Sequence, residues 1–401
     1  FAQFALAAAK QAIADSGFII DAASRDDVGV VIGTSGDCFN MGPEWDVLTQ
    51  KGANRVDPLI VTRMGQHMAA ARVGRALGIR RPNTTVNTAC ASGTDALLLT
   101  LKALGVGPGD AVVTVPFTFF ATASSIWRNN ARPRFVDIDS RTFNLDPSLI
   151  EAAITPRTKA IMPVHLFGQC SDMTAIMEIA RKHKLAVIED NAQGIGCIWD
   201  GKMSCSFGDI GTLSFFPSKN LGAMGDGGMC LTNCDDLAAK LRQLRVHGEN
   251  PKYYHKWVGL NSRLDTLQAA ILSVKLDALA GWSEMRRANA NFYNQHLASI
   301  PQIRTPWIDP RAVSIYNQYT LVCEDRDGLK KHLQSKEIGC AIYYPLPLHL
   351  QECFAELGYK AGDLPVAEKM SASVLSIPVY PEISDIQKQY VCDSIVEYYR
   401  G

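Results

Sequence analysis

Lys219 is the residue with the clearest chemical potential, because it follows a strongly hydrophobic stretch. The surrounding sequence, residues 213–222, reads LSFFPSKNLG. The apolar run at 210–216 predicts a strand, and the Pro, Ser and Asn after it predict a turn. An amine desolvated at such a place becomes a nucleophile toward carbonyl groups. A solvated surface lysine is the alternative interpretation.

Two polar side chains end a second stretch, VIEDNAQ at residues 187–193. Asp190 ends a predicted buried strand, and Gln193 lies three residues further on. In open parallel sheets, ligands bind beyond the carboxyl ends of the strands. A carboxylate there can keep a ring nitrogen protonated, and the amide can reach an oxygen on the same ring. A helix-capping role is the alternative for Asp190.

A third stretch, ASGTDAL at residues 91–97, is a turn of small residues that opens a helix. Its backbone N–H groups, including that of Asp95, and the Thr94 hydroxyl suit a phosphate dianion. Ser214, five residues before Lys219, could add a further phosphate contact. An ordinary helix N-cap is the alternative interpretation of this turn.

These three stretches supply an amine, an acid for a ring nitrogen and a phosphate cradle, which are what pyridoxal phosphate requires. Phe119, in the stretch PFTFFAT, is suited to stack on a flat ring, with core packing as the alternative. We therefore predict a pyridoxal-phosphate site in which Lys219 is catalytic, and no metal site.

Alternating strands and helices after residue 94 would position these groups. The predicted strands are 111–116, 134–139, 160–165, 185–190, 212–216 and 228–232. The predicted helices among and after them are 118–128, 147–153, 173–183 and 235–245. Strands that are continuously apolar predict an α/β fold, with a mostly parallel central sheet covered by helices on both faces.

A long amphipathic helix at 263–279 precedes a second unit, which we predict to be a smaller α+β domain. Its predicted helices are 286–299, 327–336, 350–357, 365–375 and 384–399. The resulting domain prediction is 1–90, 91–282 and 283–401.

Residues 1–90 carry a different pattern and one candidate nucleophile. Helices are predicted at 1–17 and 62–77, and a strand at 28–34. Cys90 lies at a sharp turn between a strand and a helix, in TTVNTACASG. A helix N-terminus favours the thiolate, so Cys90 could be a nucleophile, and a buried structural cysteine is the alternative.

From residue 1 to about 95, the chain resembles the N-terminal half-domain of a β-ketoacyl synthase of the thiolase fold. The matching stretches include DDVGVVIGTSGD and NTACASGTDAL, and Cys90 stands where that family carries its acyl-accepting cysteine. The family's two downstream histidines and its HGTGT-like run have no counterpart. Condensation therefore lacks the groups that stabilise the thioester oxyanion and drive decarboxylation.

From about residue 91 to its end, the chain resembles the nucleotide-sugar aminotransferases of the DegT/DnrJ/StrS group. The stretches that carry the resemblance include VPFTFFATASSI, VIEDNAQGIG, LSFFPSKNLGAMGDGGM and GLNSRLDTLQAAIL. The resemblance implies the pyridoxal-phosphate-dependent transferase fold type I. It also implies that Lys219 holds the cofactor covalently and shuttles the proton, with Asp190 at the pyridine nitrogen, Gln193 at the phenolic oxygen and Phe119 stacked on the ring.

The same resemblance implies how the phosphate is held. Thr94, Asp95 and Ser214 would contact it within one subunit. Asn261, in GLNSR, would reach the phosphate of the partner subunit, which implies a homodimer.

The subgroup that the chain is most similar to aminates 3-keto nucleotide sugars, notably UDP-linked 3-keto-N-acetylglucuronate, and glutamate is the expected amino donor. The ketosynthase-like segment replaces the family's usual N-terminal part, so we interpret the chain as a chimera.

Two alternatives stay open at this point. One is a protein that binds pyridoxal phosphate without turnover, and the other is acyl transfer at Cys90.

Composition excludes several other classes. The 401 residues include 40 Lys and Arg and 40 Asp and Glu, so the formal net charge of zero gives no footprint for nucleic acid or an anionic membrane. No apolar run has the length of a membrane span, and we expect a cytoplasmic protein. The 11 cysteines contain no C-x-x-C pair, which favours reduced buried thiols over disulfides or zinc.

Overall fold

The computed structural model describes residues 10–11, 30–33, 83–86 and 91–400. The chain divides into two compact units, Phe1–Ala89 with Met224–Asp226, and Cys90–Ala223 with Gly227–Gly401. In the first unit, strands β1 (Val30–Gly33) and β2 (Asn83–Val86) pair in parallel. The Cys90 side chain and the helix predicted at 62–77 lie outside the described residues.

The second unit begins with an alternation of helices and strands. Its elements are α1 (Ala91–Ala103), β3 (Ala111–Thr114), α2 (Ala121–Arg128), β4 (Arg132–Phe135), α3 (Ile150–Ala153), β5 (Thr158–Ile161), α4 (Met173–His183), β6 (Ala186–Asp190), β7 (Ile198–Trp199), β8 (Lys202–Met203), β9 (Ile210–Ser214), β10 (Gly228–Leu231) and α5 (Asp235–Leu244). Six of these strands form one sheet in the order β10-β9-β6-β5-β3-β4. All of its pairings are parallel except that of β10 with β9, so the predicted mostly parallel sheet is confirmed.

The strands at the centre of this sheet are buried because both of their faces are covered. All four residues of β3 are buried, as are the last four of β6 and the first four of β9. Helix packing on both faces removes these apolar runs from water and stabilises each fully buried Val or Ile by roughly 1.5–3 kcal/mol.

Strand β4 is shorter than the strand predicted at 134–139. It ends at Phe135, and the chain then folds back through an antiparallel bridge between Ile138 and Leu145. Pro133 lies inside β4. A proline is accommodated there because β4 is the edge strand, with β3 as its only neighbour.

The remainder of the unit holds α6 (Thr266–Leu276), α7 (Leu279–Leu297), β11 (Ile303–Arg304), β12 (Ala312–Val313), β13 (Tyr319–Cys323), α8 (Arg326–Ser335), α9 (Pro365–Ser373), β14 (Val374–Ile377) and α10 (Asp385–Arg400). Strands β11, β13 and β14 form an antiparallel sheet, which packs with α7, α8 and α10 around a separate core. Strand β12 pairs instead with β7, which also pairs with β8.

Several predicted bounds differ from the observed ones in this region. The helix predicted at 365–375 ends at Ser373, because the next residues form β14. The helix predicted at 350–357 is 3-10 helix over Glu352–Leu357. The domain boundary at 282 stays a prediction, and residue 282 lies in α7, which runs from Leu279 to Leu297. Across the described residues, no helix is long and apolar enough to cross a membrane.

Candidate active site

Asp190 is the last residue of β6 and lies at the carboxyl end of the parallel sheet. It pairs with Thr212 of β9, and it is bridged on the other side to Val164, which follows β5. Its carboxylate is only 3% exposed, and its Oδ2 accepts a hydrogen bond of 2.7 Å from the Thr122 hydroxyl. Burial raises the pKa of Asp190 above its usual value, while the Thr122 hydroxyl and the charge of Lys219 oppose that shift.

Gln193 lies in the turn that follows Asp190, and its amide is held in one orientation. Its Oε1 accepts a hydrogen bond of 2.9 Å from the backbone N–H of Phe167. Its Nε2 donates to the Tyr344 hydroxyl, also over 2.9 Å. Because an N–H can only be accepted by the amide oxygen, the NH₂ group must point the other way. One of its two hydrogens goes to Tyr344, which leaves the other for a ligand oxygen.

Tyr344 is a functional candidate that the sequence reasoning did not identify. Besides its bond to Gln193, its ring centroid lies 6.2 Å from that of Phe119 and 6.4 Å from that of Phe117. Burial raises the pKa of Tyr344, so the phenol stays protonated at neutral pH and can act as a donor. In the sequence, Tyr344 stands in the stretch YYPLPLHLQ at residues 343–351, which has no local pattern that points to a role for it.

Phe119 has the exposure expected of a residue that stacks on a ligand. It precedes α2, and its side chain is 41% exposed, whereas Phe117, two residues earlier, is fully buried. Core packing, the alternative for Phe119, does not fit this exposure, and stacking on a ligand stays a prediction.

Lys219 lies in a tight turn after β9. Its backbone N–H donates to the carbonyl of Phe216 over 2.9 Å, and its side chain is half-buried. A Cβ at Gly222 would lie 2.3 Å from the Pro217 carbonyl oxygen, so this turn requires glycine at its end. The positive charge of Lys219 lowers the pKa of Asp190. The predicted amine therefore acts on the ionisation of the predicted acid.

The predicted phosphate contacts lie on two elements. Thr94 is buried in the first turn of α1, and Ser214 is the half-buried last residue of β9, whose Oγ accepts from the Phe216 N–H at 3.4 Å. The Asp95 carboxylate accepts from the Ser262 hydroxyl at 2.8 Å. Because α1 already begins at Ala91, Asp95 is its fifth residue, and its backbone N–H lies beyond the first four donors that a helix leaves for a phosphate. Burial raises the pKa of Asp95, and the Ser262 donor opposes the shift.

Asn261 differs from these groups because it is exposed to solvent. It ends a hairpin, where it forms an antiparallel bridge with Val246, and its side chain is exposed. Its neighbour Ser262 is tied to Asp95 of the same subunit. The structure therefore brings together Asp190, Gln193 and Lys219, and it leaves Asn261 facing outward.

A buried carboxylate, Glu189, precedes Asp190, and the sequence reasoning did not identify it either. Both oxygens of Glu189 are saturated, by His165 Nε2 at 3.0 Å and by the backbone N–H groups of Cys205, Phe207 and Gly208 at 2.7, 2.9 and 2.8 Å. His165 Nδ1 accepts from the Ser171 N–H, so Nε2 carries the ring hydrogen. This network fixes the backbone on which Asp190 stands.

Two family models match the chain. That of the DegT/DnrJ/EryC1/StrS aminotransferase family matches residues 83–396, and that of the N-terminal domain of β-ketoacyl synthases matches residues 1–126. The two matches overlap at 83–126, around the stretch at which the two resemblances meet. The chimeric organisation inferred from the sequence is therefore confirmed.

Three relatives cover most of the chain. A "pleiotropic regulatory protein" of Geobacillus stearothermophilus is 53% identical over 78% of this chain and 84% of its own length. The UDP-2-acetamido-2-deoxy-3-oxo-D-glucuronate aminotransferase of Pseudomonas aeruginosa is 45% identical over 76% and 84%. A UDP-N-acetyl-3-dehydro-α-D-glucosamine 3-aminotransferase of Acidithiobacillus ferrooxidans is 48% identical over 74% and 80%.

Solved structures give the same result for the fold. DesV of S. venezuelae superposes with a TM-score of 0.76 at 40% identity, covering 77% of this chain and 84% of its own. NtdA of Bacillus subtilis, solved with bound cofactor PMP, superposes with a TM-score of 0.72 at 35% identity, covering 77% and 72%. PMP is the aminated form of pyridoxal phosphate, so the predicted cofactor and the fold type I architecture are both confirmed.

Proposed function

The chain belongs to the DegT/DnrJ/EryC1/StrS aminotransferase family, and we propose that it transfers an amino group from glutamate to a nucleotide-linked 3-keto sugar. It is a pyridoxal-phosphate-dependent sugar aminotransferase, as its relatives are. The observation that supports the proposal is that Asp190 ends β6 at the carboxyl edge of the sheet, with Gln193 in the turn after it and Lys219 in the turn after the neighbouring parallel strand β9.

The residues present fit the cofactor on the chemistry of their polar groups. A buried carboxylate at Asp190 suits a protonated ring nitrogen, and the free N–H of the Gln193 amide suits an oxygen on the same ring. Phe119 offers an exposed aromatic face for stacking. When bound, pyridoxal phosphate supplies an electron sink for the charge left on Cα after a proton is removed.

We assign the chemical steps of the protein to a few side chains. Lys219 Nζ takes the proton from Cα of glutamate, as a general base positioned by the turn after β9. The Asp190 carboxylate holds the proton of the ring nitrogen. The Thr94 and Ser214 hydroxyls would bind the phosphate of the cofactor, where the N-terminus of α1 adds its favourable dipole.

The substrate assignment rests on the names of two relatives. Both the enzyme of P. aeruginosa and that of A. ferrooxidans are named for a UDP-linked sugar with a keto group at position 3. We propose that the substrate of this chain is UDP-3-keto-N-acetylglucuronate, for which the P. aeruginosa relative is named. UDP-3-keto-N-acetylglucosamine, whose sugar ring carries no carboxylate, is the comparison substrate.

We also propose that the protein acts as a homodimer in which Asn261 completes the partner's phosphate site. Support comes from apolar side chains that are exposed in the hairpin that holds Asn261 and on α6. Val258 in the same hairpin is 88% exposed, and Val274 on α6 is 77% exposed. On α6 only Leu272 is buried, so most of its apolar surface has no cover within one subunit.

The deciding experiment is visible absorption after addition of pyridoxal phosphate, followed by glutamate. The wild type is expected to gain a visible band that shifts when glutamate is added, and Lys219→Ala is expected to lack the band. Lys202→Ala, a change at an exposed lysine on β8, is the matched control and should keep it. A folded protein without the band would contradict the proposal. A band that glutamate leaves unchanged would favour a binder without turnover.

The substrate is then tested by comparing the two UDP-linked 3-keto sugars with the aminated enzyme. The proposal predicts faster amination of the glucuronate, detected by mass spectrometry of the amino sugar. Equal or faster amination of the sugar without the carboxylate would overturn the substrate assignment and leave the aminotransferase activity intact.

A further inference from the structure

Two buried threonines connect α2 to the Asp190 carboxylate. Thr118 precedes the helix and Thr122 lies in its first turn, so the two are one helical turn apart. Their hydroxyl oxygens are 3.1 Å apart, and Thr122 Oγ1 is 2.7 Å from Asp190 Oδ2. Thr118 is 2% exposed and Thr122 is 1% exposed. Neither threonine has a part in the roles assigned above.

Counting protons gives the direction of this chain of hydrogen bonds. An ionised carboxylate has no hydrogen to donate, so the single hydrogen of the Thr122 hydroxyl goes to Asp190. The contact between the two threonines is then satisfied only if Thr118 donates to Thr122. The result is a relay from Thr118 through Thr122 to Asp190, in which each bond polarises the next.

We infer that Thr122 is a positioning residue for the transamination, because its hydroxyl holds Asp190 Oδ2 and leaves Oδ1 for the ring nitrogen of the cofactor. The inference rests on the proposed role of Asp190. The other donor to this carboxylate is the Ala192 N–H, which reaches Oδ1 over a longer 3.3 Å. The hydrogen bond from Thr122 is therefore the shorter and stronger of the two that fix the carboxylate.

The same hydroxyl favours the ionised form of Asp190. Burial favours the neutral acid, and the Thr122 donor is the largest influence that opposes it. A neutral Asp190 could no longer stabilise a proton on the ring nitrogen. Loss of the hydroxyl should therefore slow the removal of the proton from Cα, which lowers kcat. It should leave the binding of glutamate, and with it KM, almost unchanged.

The test uses the full-length protein loaded with pyridoxal phosphate and compares four variants. Thr122→Val removes the hydroxyl and keeps the shape, whereas Thr122→Ser keeps the hydroxyl. Thr118→Val shortens the relay by one bond. The matched control is Thr114→Val in β3, since Thr114 is also fully buried and its hydroxyl donates to the Met162 carbonyl at 2.9 Å, away from Asp190.

Three measurements are made on each variant: the pH titration of the visible band, the rate at which the cofactor dissociates, and kcat and KM for the reaction with glutamate. Thr122→Val should lower kcat by about tenfold to a hundredfold, the range expected for a hydrogen bond to a charged group, with KM within about twofold. Its spectral transition should move along the pH axis, and its cofactor should dissociate faster. Thr122→Ser should restore all three, and Thr118→Val should fall between.

Two outcomes would overturn the inference. One is a Thr122→Val protein whose pH titration matches that of the wild type, and the other is equal behaviour of the Val and Ser variants. Asp190→Asn separates this failure from that of the proposed function. If Asp190→Asn also leaves the spectrum unchanged, the role of Asp190 is wrong. If it changes the spectrum and Thr122→Val does not, only the threonine inference fails. If Thr122→Val does not fold, the pH titrations of Thr118→Val and Thr122→Ser are compared instead. Equal titrations of these two variants would overturn the inference.

Discussion

Gln193 and Tyr344 are 151 positions apart in the chain, yet the Gln193 amide donates to the Tyr344 hydroxyl over 2.9 Å. The bond joins the turn after β6 to a segment that lies between α8 and α9. The C-terminal part of the chain thereby contributes directly to the orientation of a residue at the edge of the parallel sheet. This contact makes Tyr344 part of the proposed active site.

Replacement of Tyr344 by Phe should weaken cofactor retention without unfolding the protein. The change leaves one N–H of Gln193 without its acceptor, which costs roughly 1–3 kcal/mol for a buried donor. Tyr343→Phe is the matched control, since no hydrogen bond of the Tyr343 hydroxyl is found among the described residues. Equilibrium dialysis of pyridoxal phosphate measures the effect, and equal retention in the two variants would remove Tyr344 from the site.

Glu189→Gln should lower the free energy of unfolding by about 2–4 kcal/mol. The Glu189 carboxylate accepts four hydrogen bonds, and an amide NH₂ in its place would face at least one buried donor. Glu178→Gln, at an exposed glutamate on α4, should change stability by less than about 0.5 kcal/mol. Urea denaturation of the two variants makes the comparison, and equal midpoints would contradict the structural role of Glu189.

The same carboxylate predicts a pH dependence. Burial alone would raise the pKa of Glu189, but the His165 donor and the backbone N–H groups outweigh it and hold the pKa below the usual 4.5. A lowered pKa in the folded state stabilises the protein fully above the unfolded value and loses its effect as the pH falls through the folded value. The stability difference between wild type and Glu189→Gln should therefore shrink as the pH falls below 4.5. A difference that stays constant into acid would contradict the assignment.

Asp190→Asn should stabilise the cofactor-free protein while it weakens cofactor binding. The pKa of Asp190 is raised by burial, so its ionised form costs stability at neutral pH, and this cost is relieved as the pH falls through the folded pKa. The variant should gain roughly 0.5–2 kcal/mol near pH 7, which is typical when a destabilising active-site group is removed. Thermal unfolding with and without pyridoxal phosphate measures both effects, and a cofactor-free variant less stable than the wild type would contradict the prediction.

The sequence predicted those parts of the fold that local signals specify. Helix α4 was predicted with its observed bounds, because Asp172 caps its first turn and Lys184 ends it in a left-handed conformation. The buried strands of the parallel sheet were predicted because continuous apolar runs between helices have few other interpretations. In contrast, β14 was missed, since the four residues VLSI become a strand only through their pairing with β13.

The same distinction applies to the site. Lys219, Asp190 and Gln193 could be predicted from the sequence because each stands at the end of a recognisable strand or in the turn after it. Thr122 and Tyr344 could not, because their partners lie 68 and 151 positions away and only the folded chain brings them together. Their contribution depends on tertiary distances that no local pattern encodes.

The last prediction concerns the proposed homodimer. Val274→Glu places a charge on the exposed apolar side of α6, where the wild-type side chain is 77% exposed in one subunit. If a second copy covers this side, burying the new carboxylate should weaken association by several kcal/mol, and the dimer should dissociate on dilution. Asn261→Ala should instead keep the dimer and lose cofactor, because it removes only a phosphate contact.

Ile386→Glu is the matched control for this prediction. Ile386 is 83% exposed in the first turn of α10, so it tests whether any new surface charge disturbs assembly. Light scattering and cofactor absorption should give a stable dimer for Ile386→Glu and a dilution-sensitive one for Val274→Glu. A Val274→Glu protein that remains dimeric with full cofactor would show that α6 faces solvent, and a strictly monomeric wild type with full cofactor would contradict the shared phosphate site.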